Sequence, residues 1–296
     1  MKPLISQHAF IGLILLFAHQ PAGMVAADEL QTLQNCRLVE TSWADGDSFL
    51  IQDEEGNQYT IRLYGVDCLE SHVNDTTDAR RLRAQRRYFG ISKYGGSTES
   101  SISAAQRLGK QASLAVKQEL KNPFTVHSAF ADARGDGKYK RFYGFVTTGN
   151  GDDLGEKLVR LGLARAFGVY RKTPDGKSRE DYREWLKDIE LQAAKRGVGI
   201  WAATDWDSLP AERRKDREDN AELELATRNQ PLDPNFKINI NTAARDELMR
   251  LPGIGEVLAN RIIERRPYKT IDSITKVDGL GPKTLQTLKP HLKLSD

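Results

Sequence analysis

The stretch from Asp45 to Glu70 constrains the fold of this chain more than any other. Two short β-rich runs, at about Phe49–Gln52 and Tyr59–Gly65, flank a turn that contains Gly56, and this pattern predicts a hairpin. Acidic residues stand at the ends of the two runs, so folding the hairpin brings them to one rim. The residues at this rim are Asp47, Asp67 and Glu70, with Arg62 near the same end.

Carboxylates this close repel one another unless a cation joins them, and a hard metal ion is the usual solution. The chain has no cluster of His and Cys that would favour a transition metal instead. A hairpin whose acidic ends are simply solvated would have the same pattern. The charges by themselves therefore leave a metal site and a solvated loop as alternatives.

The order of these residues resembles the signature of the staphylococcal nuclease (thermonuclease) family. That family shows Asp-Gly-Asp-Thr, an Arg, Asp-x-Pro-Glu and a second Arg after a Lys-Tyr pair. The resemblance covers roughly residues 36 to 201 and implies an α+β fold, a five-stranded OB-type β-barrel with three helices. The matching residues are Asp45-Gly46-Asp47-Ser48, Arg62, Asp67-Cys68-Leu69-Glu70, Lys138-Tyr139 and Arg141.

The resemblance implies a Ca²⁺ site at the rim. Asp47 and Asp67, helped by the backbone carbonyl of Cys68, would hold the ion, and oxygen ligands suit a hard cation. Asp45 would support these ligands without contacting the ion itself. Leu69 stands where the family has proline, a change that loosens the metal loop.

The resemblance also implies phosphodiester hydrolysis. Glu70 would act as general base on the attacking water, while Arg62 and Arg141 would neutralise charge on the phosphate. Gly168 stands where the family has one of two tyrosines that flank the substrate, so base stacking there is in doubt. The positions that match substrate contacts are Lys138, Tyr139 and Tyr170.

Residues 1–27 have the composition of a secretory signal peptide. Lys2 precedes an apolar run from Ala9 to Ala18, and the small residues Val25-Ala26-Ala27 fit a cleavage site. The run is too short for a mature transmembrane helix, although an uncleaved anchor stays open as an alternative. We therefore expect an exported protein, periplasmic or secreted, with no membrane segment in its mature form.

Export into an oxidising compartment favours a disulfide between the two cysteines, Cys36 and Cys68. Such a bridge would pin the metal loop to the first strand and offset the looseness that Leu69 introduces. Two unlinked thiols are the alternative.

The barrel domain is predicted to span residues 28–202, with an insertion at about 71–103. The insertion contains a basic run from Arg80 to Arg87, predicted as one helix ending near Gly90. These arginines either form a solvated helix face or bind nucleic-acid phosphates beside the site. A helix is predicted from Ala104 to Leu120. Residues 203–234, charged and closed by two prolines, are predicted to be a partly helical linker.

Residues 235–296 contain an internal repeat, in which two Gly-x-Gly segments each lie between two short helices. The repeat and its Asn239-Ile240-Asn241-Thr242 opening resemble the tandem helix-hairpin-helix module of competence DNA receptors. Such hairpins expose backbone N–H groups to phosphates, so sequence preference should be slight. A hairpin used only for packing or protein contact stays open. The predicted phosphate-binding residues are Gly253, Ile254, Gly255, Gly279, Leu280 and Gly281.

Together these patterns predict an exported, Ca²⁺-dependent, sugar-nonspecific nuclease. Its expected partner is DNA, with RNA left open, and we expect a monomer. The net charge of +3 is only a weak argument for nucleic acid binding. The competing hypothesis is an exported DNA receptor whose barrel has no catalytic activity.

Overall fold

This computed structural model describes residues 30–130, 133, 141–228, 233 and 235–295. The described strands before residue 204 are β1 (Gln31–Val39), β2 (Ser48–Gln52), β3 (Gln58–Leu63), β4 (Val66–Cys68), β5 (Phe124–Ser128), β6 (Phe142–Thr147) and β7 (Ala164–Ala166). Five of them close into a barrel in the order β1-β2-β3-β6-β5, as predicted. Neighbouring barrel strands are antiparallel except β3 and β6, which are parallel.

The predicted hairpin is formed by β2 and β3, in which Ser48 lies opposite Arg62. Its turn is closed by a hydrogen bond of 3.0 Å from Asp53 N–H to Asn57 O. Strand β4 leaves the barrel and pairs with β7, which carries Asp67 towards the start of β2. Alternate side chains fill the barrel, as the period of a strand requires. The buried ones on the hairpin include Phe49, Ile51, Ile61 and Leu63.

The insertion contains one helix and the start of another. The first ends as predicted, because Gly90 adopts a left-handed conformation (φ 66°) and caps it. The second begins at Thr98 rather than Ala104, because the Ser97 hydroxyl accepts a hydrogen bond from Ser100 N–H and caps the earlier start. The helices before the tail are α1 (Thr76–Phe89), α2 (Thr98–Glu119), α3 (Leu154–Arg160), α4 (Arg179–Arg196) and α5 (Leu209–Arg228), with short 3-10 helices at Tyr94–Gly96 and Gly199–Ala203.

The basic run on α1 is divided between structural and exposed arginines. Arg86 is buried and donates to Ser101 Oγ at 2.8 Å. Arg87 pairs with Asp219 of α5 at 2.7 Å, so the segment predicted as a linker contains a helix packed against the insertion. Arg80 and Arg83 are exposed. The domain boundaries themselves stay a prediction.

The tail is helical, as predicted, and a pair of two-residue strands closes it. Strand β8 (Ile238–Asn239) pairs in parallel with β9 (Leu292–Lys293), which joins the first and last residues of the module. Its helices are α6 (Arg245–Leu248), α7 (Glu256–Glu264) and α8 (Pro282–Leu288), with 3-10 helices at Ile271–Lys276 and Lys289–His291.

The predicted Cys36–Cys68 disulfide is absent, since both cysteines are free and buried. Each thiol has its own neighbours. Cys36 Sγ faces the carbonyl of Leu33 at 3.5 Å, whereas Cys68 Sγ lies against the backbone at Gly46. Burial raises the pKa of Cys36 to about 11, which keeps it a thiol at neutral pH.

The predicted signal peptide, residues 1–27, lies outside the described residues. Among the described helices, none combines the length and the apolar character needed to cross a membrane.

Candidate functional site

Asp47 lies directly before β2 and links it by hydrogen bonds to β3 and β4. Its Oδ1 accepts a hydrogen bond from Arg62 Nη1 at 2.9 Å, and its Oδ2 accepts one from Cys68 N–H at 2.9 Å. Its backbone carbonyl accepts from Leu63 N–H at 2.9 Å. The acidic ends of the hairpin therefore meet at one rim, as the sequence predicts.

The Arg62 guanidinium donates hydrogen bonds to two carboxylates. Its second terminal nitrogen, Nη2, donates to Asp67 Oδ1 at 3.0 Å, while Nη1 holds Asp47. The guanidinium thus occupies the position between the acids where a cation was expected. Its predicted role on the phosphate requires it to exchange one of these contacts for a phosphate oxygen.

Asp67 has two further partners that the sequence analysis missed. Its Oδ2 accepts from Arg165 Nε at 2.8 Å and from Gln85 Nε2 at 3.0 Å. Burial opposes ionisation of Asp67, but Arg165 and Arg62 outweigh burial and hold the pKa of this carboxyl below its ordinary value. Arg165 reaches the site because β7 pairs with β4 so that Arg165 lies opposite Asp67. Long-range pairing of this kind leaves no local sequence signal.

Glu70, the predicted base, lies just beyond β4. Its N–H donates to Gln85 Oε1 at 2.9 Å, and its Oε1 lies 3.7 Å from Arg81 Nη1. Burial raises the pKa of Glu70 to about 7; Arg81 lowers it, whereas Asp47 and Asp67 raise it further. A carboxyl group that titrates near neutral pH can accept a proton from water.

Asp45 shapes the turn that leads into β2. Its Oδ1 accepts from Ser48 N–H at 2.9 Å and from Asp47 N–H at 3.3 Å. Burial raises the pKa of Asp45 well above its ordinary value, and the charges of Asp47 and Glu70 raise it further. These contacts are compatible with the supporting role that the sequence predicts.

Arg141 lies directly before β6 and belongs to the same cluster of charges. Burial lowers the pKa of Arg141, and the charges of Arg62 and Arg81 lower it further. Its Nε is buried and has no hydrogen-bond partner among the described residues. Lys138 and Tyr139, the predicted substrate contacts just before it, lie outside the described residues.

Tyr170 does not present a free ring to a substrate. The residue is buried, its ring packs edge-on against Tyr182, and the Arg183 guanidinium lies 4.7 Å from the ring centre. Its N–H donates to Glu264 Oε1 of the tail at 3.0 Å. The tail therefore covers the residue that was predicted to flank the nucleotide.

The two repeats of the tail form closely similar hairpins. In the first hairpin (residues 251–255) Gly253 has φ 77°, and in the second hairpin (residues 277–281) Gly279 has φ 96°. The residues between the paired glycines, Ile254 and Leu280, are both buried. The surroundings differ, because Gly279 and Gly281 are exposed whereas Gly253 and Gly255 are half-buried.

Helices α6 and α7, which flank the first hairpin, contact the barrel domain. Asp246 Oδ2 lies 3.6 Å from Nη2 of Arg81, the arginine that also approaches Glu70. At the carboxyl end of α7, the Glu264 carboxylate, 3% exposed, pairs with Arg183 at 3.1 Å and Arg179 at 3.7 Å. The first hairpin is thus held between two contacts with the barrel domain, one of them beside the acidic rim.

The residues predicted to hold a metal ion are two carboxylates and one carbonyl. Within the described ranges, no group of three or more His, Cys, Asp or Glu side chains is arranged to hold a metal ion. Asp47 Oδ2 and Asp67 Oδ1 each accept one hydrogen bond from a described residue, so each keeps an acceptor position. The donor chemistry therefore fits a hard cation that completes its shell with water or substrate oxygens.

Comparison with known families finds one match in each part of the chain. Residues 60–203 match the family described as staphylococcal nuclease homologue, and residues 234–293 match the helix-hairpin-helix motif. The predicted resemblances are confirmed. The first match contains Arg62, Asp67, Glu70 and Arg141, while Asp47 lies just before it.

Curated relatives match over about a fifth of the chain. ComE operon protein 1 of Bacillus subtilis (strain 168) is 41% identical over 59 residues, which are 19% of this chain and 29% of that protein. Endonuclease/exonuclease/phosphatase family domain-containing protein 1 of Homo sapiens is 39% identical over 63 residues, 20% of this chain and 11% of that protein. The chain thus shares only a minor part of the length of either relative.

Proposed function

We propose that this chain, a staphylococcal nuclease homologue domain joined to a helix-hairpin-helix DNA-binding module, hydrolyses phosphodiester bonds of DNA without sequence specificity. The observation that carries the proposal is the grouping of Glu70, Arg62 and Arg141 around one acidic rim. This grouping supplies a base and two cationic partners, the parts that phosphodiester hydrolysis needs. RNA is a second substrate class to be tested.

In this mechanism Glu70 accepts a proton from the attacking water. Arg141, whose buried Nε has no described partner, donates to a phosphate oxygen and neutralises charge that grows in the transition state. Arg62 shares one of its terminal nitrogens with the phosphate while it keeps the other on a carboxylate. Asp45 holds the turn before Asp47 in place.

The proposed cofactor is Ca²⁺, held by Asp47, Asp67 and the carbonyl of Cys68. When bound, it would withdraw electron density from the phosphate and offset the repulsion between the two carboxylates. Arg62 bridges these carboxylates at 2.9 and 3.0 Å. Arg62 therefore has to give up one of these two contacts before it can donate to a phosphate oxygen.

Export is part of the proposal and rests on the composition of residues 1–27. N-terminal sequencing of protein from culture medium or periplasm tests it. A mature chain that begins near Asp28 is the expected result, whereas an intact Met1 in all fractions contradicts export by cleavage.

We also propose that the protein is a monomer. Sedimentation of the purified protein tests this proposal.

A non-catalytic DNA-binding protein is the second candidate. The closeness of Asp246 to Arg81, and of Arg81 to Glu70, favours it, because these contacts occupy charges that a substrate would need. The two candidates differ in one measurable property, which is turnover.

The test is an assay of the purified protein on single-stranded DNA, duplex DNA and RNA, with and without Ca²⁺. Glu70→Gln should reduce turnover by about 10²–10⁴-fold, the range for loss of a general base. Glu222→Gln, an exposed position on α5, is the matched control. Cleavage that is equal in wild type and Glu70→Gln would refute the assigned site, and DNA binding without cleavage would favour the second candidate.

A further inference from the structure

Gln85 of the insertion contacts the acidic loop Asp67–Glu70 at three points. Its Nε2 donates to Asp67 Oδ2 at 3.0 Å and to the carbonyl of Cys68 at 2.7 Å, and its Oε1 accepts from Glu70 N–H at 2.9 Å. We propose that Gln85 is a positioning residue that sets the distance between the proposed metal ligands and the base. This inference rests on the proposed function.

Among side chains, an amide suits this position particularly well. Gln85 is 1% exposed, so each of its polar atoms needs a partner inside the protein. A primary amide offers two N–H donors and a carbonyl acceptor, and here both donors and the acceptor are used. One side chain therefore links a carboxylate, a backbone carbonyl and a backbone N–H that belong to consecutive parts of the loop.

Helix α2 closes on the same loop from another direction. A Cβ atom at Gly109 would lie 2.4 Å from the carbonyl oxygen of Leu69 and 3.1 Å from Ser71 N, so only glycine permits this approach. Leu69 itself is buried in a second core with Leu82 and Phe89. Leu69, which stands where the family has proline, is thus held in place by apolar packing. The polar groups of the loop are held by the hydrogen bonds of Gln85.

A sequence signal for Gln85 exists. Leu82, Gln85 and Phe89 have the spacing of one helical face, and all three are buried. A polar residue on the buried face of a strongly basic helix predicts a specific partner inside the protein. The insertion therefore has a function beyond its exposed arginines, since it carries the support for the loop.

The experiment compares Gln85→Glu and Gln85→Met with the same changes at Gln192, an exposed position on α4. Glutamate removes both donors and places a charge against Asp67, and methionine removes all three contacts at similar volume. We measure kcat and KM, Ca²⁺ affinity by calorimetry, and hydrogen exchange of the Glu70 amide in metal-free protein. Thermal unfolding verifies that each variant is folded.

Both Gln85 variants should lose about 10–100-fold in kcat and in Ca²⁺ affinity, as for other groups that orient metal ligands. KM for long duplex DNA should change less than twofold. The Glu70 amide should exchange at least tenfold faster in Gln85→Met, which has no acceptor for it, and less so in Gln85→Glu, which keeps one. Both Gln192 variants should match wild type. A Gln85→Met protein with wild-type kcat and wild-type amide exchange would overturn the proposal.

Failure of the proposed function can be told apart from failure of this inference. An inactive wild type refutes the nuclease function, and the exchange of the Glu70 amide then decides the role of Gln85 alone. Faster exchange with unchanged kcat in an active protein would also overturn the inference, because the loop would then not need to be ordered for catalysis.

Discussion

The two hairpins of the tail have nearly the same backbone, yet they face different surroundings. The first hairpin is flanked by helices that contact the barrel domain, through Asp246 at one end and Glu264 at the other. The second hairpin lies on the surface with Gly279 and Gly281 exposed. Equal local structure therefore does not imply equal availability to a phosphate.

The two hairpins also differ in the charge of the helix that follows each of them. The helix after the first hairpin begins with Glu256, which pairs with Arg245 at 3.0 Å. An acidic residue in the first turn already satisfies the positive end of a helix, and it repels a phosphate. The helix after the second hairpin begins with Pro282 and Lys283, which are exposed. We expect the second hairpin to bind DNA and the first hairpin to dock on the barrel domain.

The largest effect is expected when the docking of α7 is broken. Glu264→Ala leaves the Tyr170 N–H without its acceptor and removes the partner of two arginines. Loss of a buried acceptor costs about 1–3 kcal/mol, measured here by urea unfolding. Glu264→Gln, which keeps an acceptor, should lose less than half of that. Equal stability of wild type and Glu264→Ala would mean that the first hairpin is not docked in solution.

A negative charge at the second hairpin should weaken DNA binding. A Cβ atom at Gly281 meets no other atom within 4 Å, so Gly281→Glu should fold normally. Affinity for long duplex DNA should fall about tenfold at low salt, because phosphate contacts dominate such binding. Thr287→Glu places the same charge near the other end of α8 and should have a smaller effect. Unchanged affinity in Gly281→Glu would assign the phosphate contacts to another surface.

A smaller effect is expected at the contact near the acidic rim. Asp246→Asn removes the carboxylate that approaches Arg81 at 3.6 Å. Because this pair is partly exposed, we expect a loss of stability below about 1 kcal/mol and a gain of roughly twofold in the rate on short oligonucleotides. Asp272→Asn breaks the exposed pair with Lys289 and serves as control. A slower Asp246→Asn enzyme would mean that the contact helps catalysis.

The smallest expected effect is a change in the stability of the fold with pH. Burial raises the pKa of Glu264, although Tyr170 N–H and Arg183 lower it. The folded state therefore binds more protons than the unfolded state above the ordinary pKa of a glutamate, and stability falls as pH rises through that window. Between the ordinary glutamate pKa of 4.5 and the raised pKa of Glu264, wild type should lose slightly more stability than Glu264→Gln. Parallel stability curves for the two proteins would contradict this shift.

Much of the acidic rim could be predicted from the sequence. Asp47 directly precedes β2 and Arg62 lies on the paired strand β3, while Asp67 follows a few residues later, so local geometry alone brings them together. Gln85 and Arg165 could not be placed in this way. Gln85 reaches the rim through packing of the inserted helix, and Arg165 reaches it through pairing of β7 with β4.

The predicted disulfide is not formed, because the two thiols face different neighbours: Cys36 Sγ faces the Leu33 carbonyl, and Cys68 Sγ lies against the backbone at Gly46. The sequence by itself determined the β2–β3 hairpin and both Gly-x-Gly loops, because strand alternation and glycine conformations are local properties of the chain. The closed barrel was expected from the family resemblance, since its closure depends on pairing between distant strands. Only the tertiary structure decided which hairpin docks and which stays exposed. That choice depends on Glu264 meeting Arg183 and on Asp246 meeting Arg81, contacts between distant segments that no local pattern specifies.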